Sequence, residues 1–169
     1  MIKIKVSNLT NGRYDFDFEG KTSDLEIPEP YLGNFKTKIV LDKFDHQIIV
    51  DAVTEIPAKL FCDRCTREFQ SEISSNFKMV YLFRSKYDES ENKKEEVVYL
   101  HPENDKIDLD KDIRDFAILG VPMKMLCSEN CKGLCPKCGK NLNDGPCNCT
   151  EEMIDPRWEP IQKLKTKNN

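Results

Sequence analysis

Six of the eight cysteines fall between residues 127 and 149, as Cys127, Cys131, Cys135, Cys138, Cys147 and Cys149; the other two form the pair Cys62-Asp63-Arg64-Cys65. Thiols at short spacings, with glycine and proline beside them, are the pattern of metal-ligand knuckles. The densest is Cys135-Pro136-Lys137-Cys138-Gly139. Two residues between the thiols let both sulfurs reach one ion, Pro136 fixes φ, and Gly139 can take positive φ as the chain leaves. Cys147-Asn148-Cys149 follows the turn signal Gly145-Pro146. Four thiolates from these two turns make a closed tetrahedral site with no open position for a substrate, hence a structural one, and zinc is the ion expected. Surface thiols or disulfides are the competing reading. Iron fits the same donors, but nothing else in the sequence suggests electron transfer.

The other four cysteines are less constrained. Cys62, Cys65, Cys127 and Cys131 can form a second site if the two segments meet. One zinc with four spare thiols, and a mixed set of Cys131, Cys135, Cys138 and Cys149, remain open, so the expectation is one or two zinc ions. A thioredoxin-type redox use of Cys62 and Cys65 wants the motif to open a helix, whereas Phe69, Ile73, Phe77, Met79, Tyr81 and Phe83 continue with strand parity. His46 and His101 are the only histidines and read as solvated turn or loop residues, leaving no His-centred general base. No His/Asp cluster supplies the open metal position that a metal-dependent nuclease needs.

The rest of the chain must hold these thiols in place. At 169 residues it is long enough for one full domain or two small ones, and it is 38% hydrophobic and 33% charged, with a formal net charge of −4. The charge divides into −6 over residues 1–119 and +2 over residues 120–169. That asymmetry is too weak to announce a nucleic-acid binder by itself. No apolar run approaches the ~18 residues of a membrane helix, and the N-terminus carries no hydrophobic signal core. Eight cysteines in a chain of that kind fit a reducing compartment, so a cytoplasmic location is expected.

Residues 1–20 read as two short strands about an Asn11-Gly12 turn, residues 20–34 as a loop, and residues 35–60 as a hairpin turning near Asp45-His46. Cys62 and Cys65 then lie at the turn between two long strands. Residues 84–96 are a charge run without apolar periodicity, and Val97 to Leu100 make another short strand. Leu109, Ile113, Phe116 and Ala117 share a helical face, with Asp108 or Asp110 able to cap its start and Gly120 and Pro122 to end it. A short helix starting at Pro156 is expected to anchor Trp158 on the knuckle.

The expected fold is therefore α+β: an antiparallel sheet, open to closing into a barrel, with one helix and a cysteine-rich zinc-knuckle C-terminal segment. Residues 1–126 form the β-rich domain, with its helix near 109–119. Residues 127–169 form a zinc-binding segment packed on it.

Several of these residues also carry a resemblance. Cys62-x-Arg64-Cys65 after a β segment, Ile107-Asp108-Leu109 opening a helix that leads to Pro122-Met123, the run Cys127 to Gly139, Asn141-Leu142-Asn143, Cys147-x-Cys149 and Asp155-Pro156-Arg157 together resemble the YceD family of bacterial and plastid proteins. The resemblance covers roughly residues 35–165 and gives no motif for the first 34 residues. It implies a part in accumulation or processing of large-subunit ribosomal RNA, with ribosomal RNA or its precursor, a large-subunit ribosomal protein, or both as partners, and with neither a membrane nor a small-molecule substrate. It brings no catalytic residue.

The expected function is accordingly a non-enzymatic, zinc-binding role in large-subunit biogenesis. Arg64, Arg67, Lys132, Lys137, Lys140 and Arg157 are the candidate RNA contacts because they sit beside the knuckles. A protein-only adaptor and a thiol redox enzyme using Cys62 and Cys65 are the alternatives.

Overall fold

A computed structural model describes residues 2–83, 97–100, 105–149 and 157. The charge run 84–96, His101, and the expected Trp158 helix with the basic tail beyond it lie outside the described residues. Among the described residues, seven strands and one α-helix run in the order β1 (Lys3–Lys5), β2 (Gly12–Lys21), β3 (Asn34–Lys43), β4 (Gln47–Phe61), β5 (Glu68–Phe83), β6 (Val97–Leu100), β7 (Lys106–Asp108) and α1 (Asp110–Leu119).

The central strands form where the sequence alternates most strictly. Along β4, Ile48, Val50, Ala52, Thr54, Ile56, Ala58 and Leu60 are all buried, with more exposed residues between them. Alternation at period two puts every apolar side chain on one face, which fixes the register against slippage. The register runs Leu41↔Val50 and Ile39↔Ala52 on one side of β4, and Val50↔Met79 and Ile48↔Tyr81 on the other. Thr37 and Thr54, both buried, satisfy each other across the strands at 2.9 Å. Each aliphatic side chain fully withdrawn from water here contributes roughly 1.5–3 kcal/mol.

The sheet is open, not barrel-like, and mixed, not wholly antiparallel. Strands β2, β3, β4 and β5 form an antiparallel meander in chain order, and β6 adds to β5 in parallel. A parallel neighbour needs a crossover of a dozen or more residues, and residues 84–96 supply that length. Strands β2 and β6 lie at opposite edges, so closure would require them to pair, and they do not. Nor does β1 hairpin with β2 around Asn11-Gly12. It pairs with β7 in a separate two-stranded sheet, with Ile4 opposite Ile107. Burial explains the choice: Ile2, Ile4, Val6 and Ile107 all enter the main core from this small sheet.

Helix α1 closes the same core. Ile113 and Ala117 are buried, and Phe116 stacks on Phe77 with ring centroids 4.8 Å apart. The Asp108 carboxylate accepts the Asp110 N–H at 3.1 Å at the helix start. The Tyr31 hydroxyl donates to the Ala117 carbonyl near the other end. From Gly120 the chain passes to Met125, which meets the tip of the β4–β5 hairpin.

Candidate metal centres

The β4–β5 tip and the turn at residues 135–140 are two copies of one backbone device. In the first, the Cys62 N–H donates to the Arg67 carbonyl at 2.9 Å and the Thr66 N–H donates to the Cys62 carbonyl at 2.8 Å. In the second, the Cys135 N–H donates to the Lys140 carbonyl at 2.8 Å and the Gly139 N–H to the Cys135 carbonyl at 2.9 Å. Both turns therefore need positive φ at the residue after the second cysteine. Gly139 takes it at 71°, and Thr66 takes it at 56° despite its β-branch. Gly139 was legible as a φ-permissive position; Thr66, in the corresponding place, was not.

The eight thiols gather into two sets of four, Cys62, Cys65, Cys127 and Cys131, and Cys135, Cys138, Cys147 and Cys149, with the sulfurs of each set within 4.8 Å of one another. Cys131 sits with the first set, away from the mixed grouping that the sequence also allowed. A tetrahedron of thiolates with metal–sulfur bonds of ~2.3 Å has sulfur–sulfur edges of ~3.8 Å. The pairs Cys62–Cys131 and Cys65–Cys127 stand at 3.7 Å, and Cys135–Cys147 at 3.4 Å. These spacings are far from the ~2.05 Å of a disulfide, and they fit four donors about one ion. Both sets can hold a metal ion. All-thiol donors favour a soft or borderline ion and leave no vacancy for substrate.

The protein stabilises thiolates unevenly within each set. At Cys62, backbone N–H groups, that of Cys127 foremost and then those of Cys65 and Arg64, outweigh burial and hold the thiol down to about 6. At Cys135, the N–H groups of Cys138 and Lys137 do the same, again to about 6. Cys131 is raised by burial but held below the ordinary thiol value by the Asn143 side chain and the Gly133 N–H. Burial, followed by hydrogen bonding with neighbouring sulfurs, pushes Cys127 up to about 12. Cys149 is pushed up to about 12 by hydrogen bonding with Cys138, then by burial. Each set thus offers one ready thiolate and one thiol that holds its proton, as expected where negative charges crowd without a cation between them.

The surroundings tie the two sets together. The Asn143 amide donates to the Cys131 sulfur at 3.3 Å, and its oxygen accepts the Lys132 N–H at 2.8 Å. Asn143 belongs to the short 3-10 turn Leu142–Asp144, which lies between the cysteines of the second set. Beside it, Asp144 takes both contacts of Arg67 at 2.7 and 2.9 Å. Leu134 donates its N–H to the Arg64 carbonyl at 3.1 Å, bringing residues 131–134 across the first knuckle. Gly133 makes this crossing possible: its φ is 75°, and a Cβ there would stand 3.0 Å from the Arg64 carbonyl oxygen. Asp63 completes the frame, donating its N–H to the Met125 carbonyl at 2.8 Å and accepting the Met125 N–H on its carboxylate at 2.6 Å. Asn143, Asp144, Asp63 and Thr66 were not singled out for these roles by sequence. Asn143 lies in a motif of the family resemblance, but nothing about its spacing announced a sulfur partner.

The basic residues divide by what they touch. Arg64 donates to the carbonyls of Cys131 at 2.9 Å and Glu129 at 3.1 Å. Arg67 pairs with Asp144, and the Lys140 ammonium donates to the Pro146 carbonyl at 2.8 Å. These three hold the knuckles together. All six candidates are exposed.

The family described as "Large ribosomal RNA subunit accumulation protein YceD" matches residues 50–165, more than half of the chain. The chain belongs to the YceD family. It is 28% identical over 140 residues to the Arabidopsis thaliana protein named "Large ribosomal RNA subunit accumulation protein YCED homolog 1, chloroplastic", covering 69% of this chain and 44% of the relative. It is 26% identical over 117 residues to an uncharacterized protein of Mycobacterium tuberculosis, covering 69% of this chain and 55% of the relative. Over a shorter stretch of 49 residues it is 48% identical to the Zea mays chloroplastic YCED homolog 1, covering 28% of this chain and 17% of the relative. The chain spans about half the length of the first two of these relatives. No solved structure matches it. Among the described residues, no helix is long and apolar enough to cross a membrane.

Proposed function

We infer that the chain is a non-enzymatic, zinc-stapled factor of large ribosomal subunit biogenesis. It acts in the cytoplasm by binding precursor particles through ribosomal RNA, a large-subunit ribosomal protein, or both. The family match carries the biological half of this reading. The geometry supports the chemical half: two closed sets of four thiols, crossed by Asn143 and Arg67, build a rigid platform and leave no reactive position on the metal. Zinc is the natural ion for all-cysteine tetrahedra in a reducing compartment, one per set.

Two measurements test it together: ultraviolet crosslinking in cells with sequencing of the attached RNA, and sedimentation of the protein through a ribosome gradient. Crosslinks concentrated in large-subunit precursor RNA and co-migration with precursor particles are expected. A protein found only at the top of the gradient, with no crosslinks, would overturn the reading.

The protein-only adaptor is a second reading with its own support. Arg64, Arg67 and Lys140 spend their donors inside the molecule. RNA contact through Arg64, Arg67 or Lys140 would have to compete with these internal bonds. An RNA-free pull-down that retains the partner supports the adaptor; replacing Lys132, Lys137 and Lys140 together by Ala weakens RNA crosslinks, with a smaller salt dependence, if that patch touches phosphate, and unchanged crosslinks remove the claim for the patch.

A further inference from the structure

Beside the first knuckle lies an open groove of about 650 Å3. Pro30 and Leu32 form one wall, the end of β4 at Leu60 and Phe61 forms the floor, and Val121 and Met125 form the other wall. Its polar rim carries the carboxylates of Glu29 and Asp63. The one cation on the lining, Lys59, is already paired with Glu68 at 2.9 Å. Among the described residues, Leu32 and Phe61 on the lining face solvent, Phe61 at 60% exposure, and Ile118, Leu119 and the fully exposed Met123 lie in sequence beside the lining residues Val121 and Met125. An apolar concentration of this kind marks a binding surface more often than a solvated face. The Asp63 N–H bond to the Met125 carbonyl and the Met125 N–H bond to the Asp63 carboxylate fix the far wall to the knuckle, so the groove is held in shape before anything enters it.

We propose that this groove docks a protein partner's segment in which apolar side chains alternate with lysine or arginine. The apolar walls take the side chains, and the Glu29 and Asp63 carboxylates take the cations. The same acidic rim repels phosphate, which favours a protein segment over RNA here. The proposal rests on the reading of the chain as an assembly factor and names the kind of partner that reading requires.

The test uses full-length, zinc-loaded protein and fluorescence anisotropy with a short synthetic peptide of alternating leucine and lysine. The same peptide with glutamate for lysine is the control. The lysine peptide is expected to bind and the glutamate peptide not to. Leu32→Ser with Phe61→Ser, and separately Glu29→Lys, are expected to weaken binding at least about tenfold, or about 1.4 kcal/mol, with zinc content unchanged. Equal binding of both peptides, or full affinity in both variants, overturns the proposal. Binding seen only in a Trp158→Ser variant would assign the groove to the chain's own C-terminal residues, and displacement of the peptide by large-subunit RNA would assign it to RNA; either overturns it. A ribosome gradient separates the two levels of inference. Wild type at the top of the gradient sinks the assembly reading, whereas wild type on particles with both groove variants unaffected sinks the groove alone.

Discussion

The two thiol clusters share a turn but not a context. Cys62, Cys65 and Cys131 are buried, and the first cluster joins positions more than sixty residues apart in sequence. Cys138 and Cys149 are exposed, and the second cluster closes entirely within residues 135–149. Joining distant segments removes more freedom from the unfolded chain than closing a short loop. The first cluster is thus a fastener between the hairpin tip, the exit from α1 and residues 129–134. The second shapes a local loop, and that loop hands Asn143 and Asp144 back to the first. The same four donors act as a keystone in one place and as its support in the other.

The comparison breaks most visibly on ligand removal. Cys62→Ser is expected to lose the first ion and loosen the second, taking zinc from about two per chain to about one or fewer. Its hydrogen-exchange protection should fall across β4, β5 and residues 121–134. Cys138→Ser should cost about one ion and leave β4 and β5 protected as before. Elemental analysis alongside exchange reads both. Similar loss of protection in the two variants would erase the distinction drawn above.

Acidification gives the next largest effect. Metal needs thiolates, so protons compete with it. Cys62 and Cys135, held to about 6, are already ionised at neutral pH, whereas Cys127 and Cys149, at about 12, are not. Binding at neutral pH must therefore release at least one proton per cluster, and affinity must fall as pH drops, more steeply once it passes below about 6. Calorimetric titration in two buffers of different ionisation enthalpy counts the protons; a count of zero would contradict the ligand assignment.

The thiols, the long hairpin and the helix were legible because each announces itself locally: short cysteine spacings, unbroken period-two runs through β3 to β5, and the Ile113–Ala117 face between its caps. What stayed hidden depends on partners distant in sequence. Residues 2–6 carry a strand pattern that is equally consistent with a hairpin at Asn11-Gly12, and only the docking of Ile4 against Ile107 selects β7. A single strand pattern also does not say whether its neighbour runs parallel, so β6 could not be oriented. Arg64 and Arg67 could be read as phosphate contacts or as solvated charges, and local spacing could not show which protein acceptors they also meet. The acceptors they meet within the protein lie 65 to 77 residues away.

Asn143 sharpens the comparison from the other direction. It belongs to the loop of the second cluster but donates to a sulfur of the first. Asn143→Ala removes that donor and the acceptor for Lys132 N–H. Loss of such an outer partner typically costs about 10–100-fold in metal affinity. The loss should appear at the first cluster, read by chelator competition with Cys138→Ser as the background so that one ion is followed. Asn143→Asp, which keeps the Lys132 contact but brings a carboxylate to the thiolates, should be no better than Ala.

The smallest effect probes the shared turn itself. Thr66 and Gly139 occupy the same position in the two knuckles, both at positive φ. A residue with a Cβ there costs roughly 1–2 kcal/mol, and a β-branched one has little freedom to relieve it. Thr66 recovers part of this through its hydroxyl, which donates to the Cys65 carbonyl at 2.8 Å. Thr66→Gly should therefore stabilise the protein only slightly, by less than about 1 kcal/mol, because it loses that bond as it sheds strain. Gly139→Thr should destabilise by about 1–2 kcal/mol, with the damage confined to the second cluster. Urea unfolding of the two variants separates the signs. If Thr66→Gly instead weakens metal binding at the first cluster, the hydroxyl bond is holding the Cys65 turn in its ligating shape, and the two knuckles are alike in backbone path but not in what keeps them there.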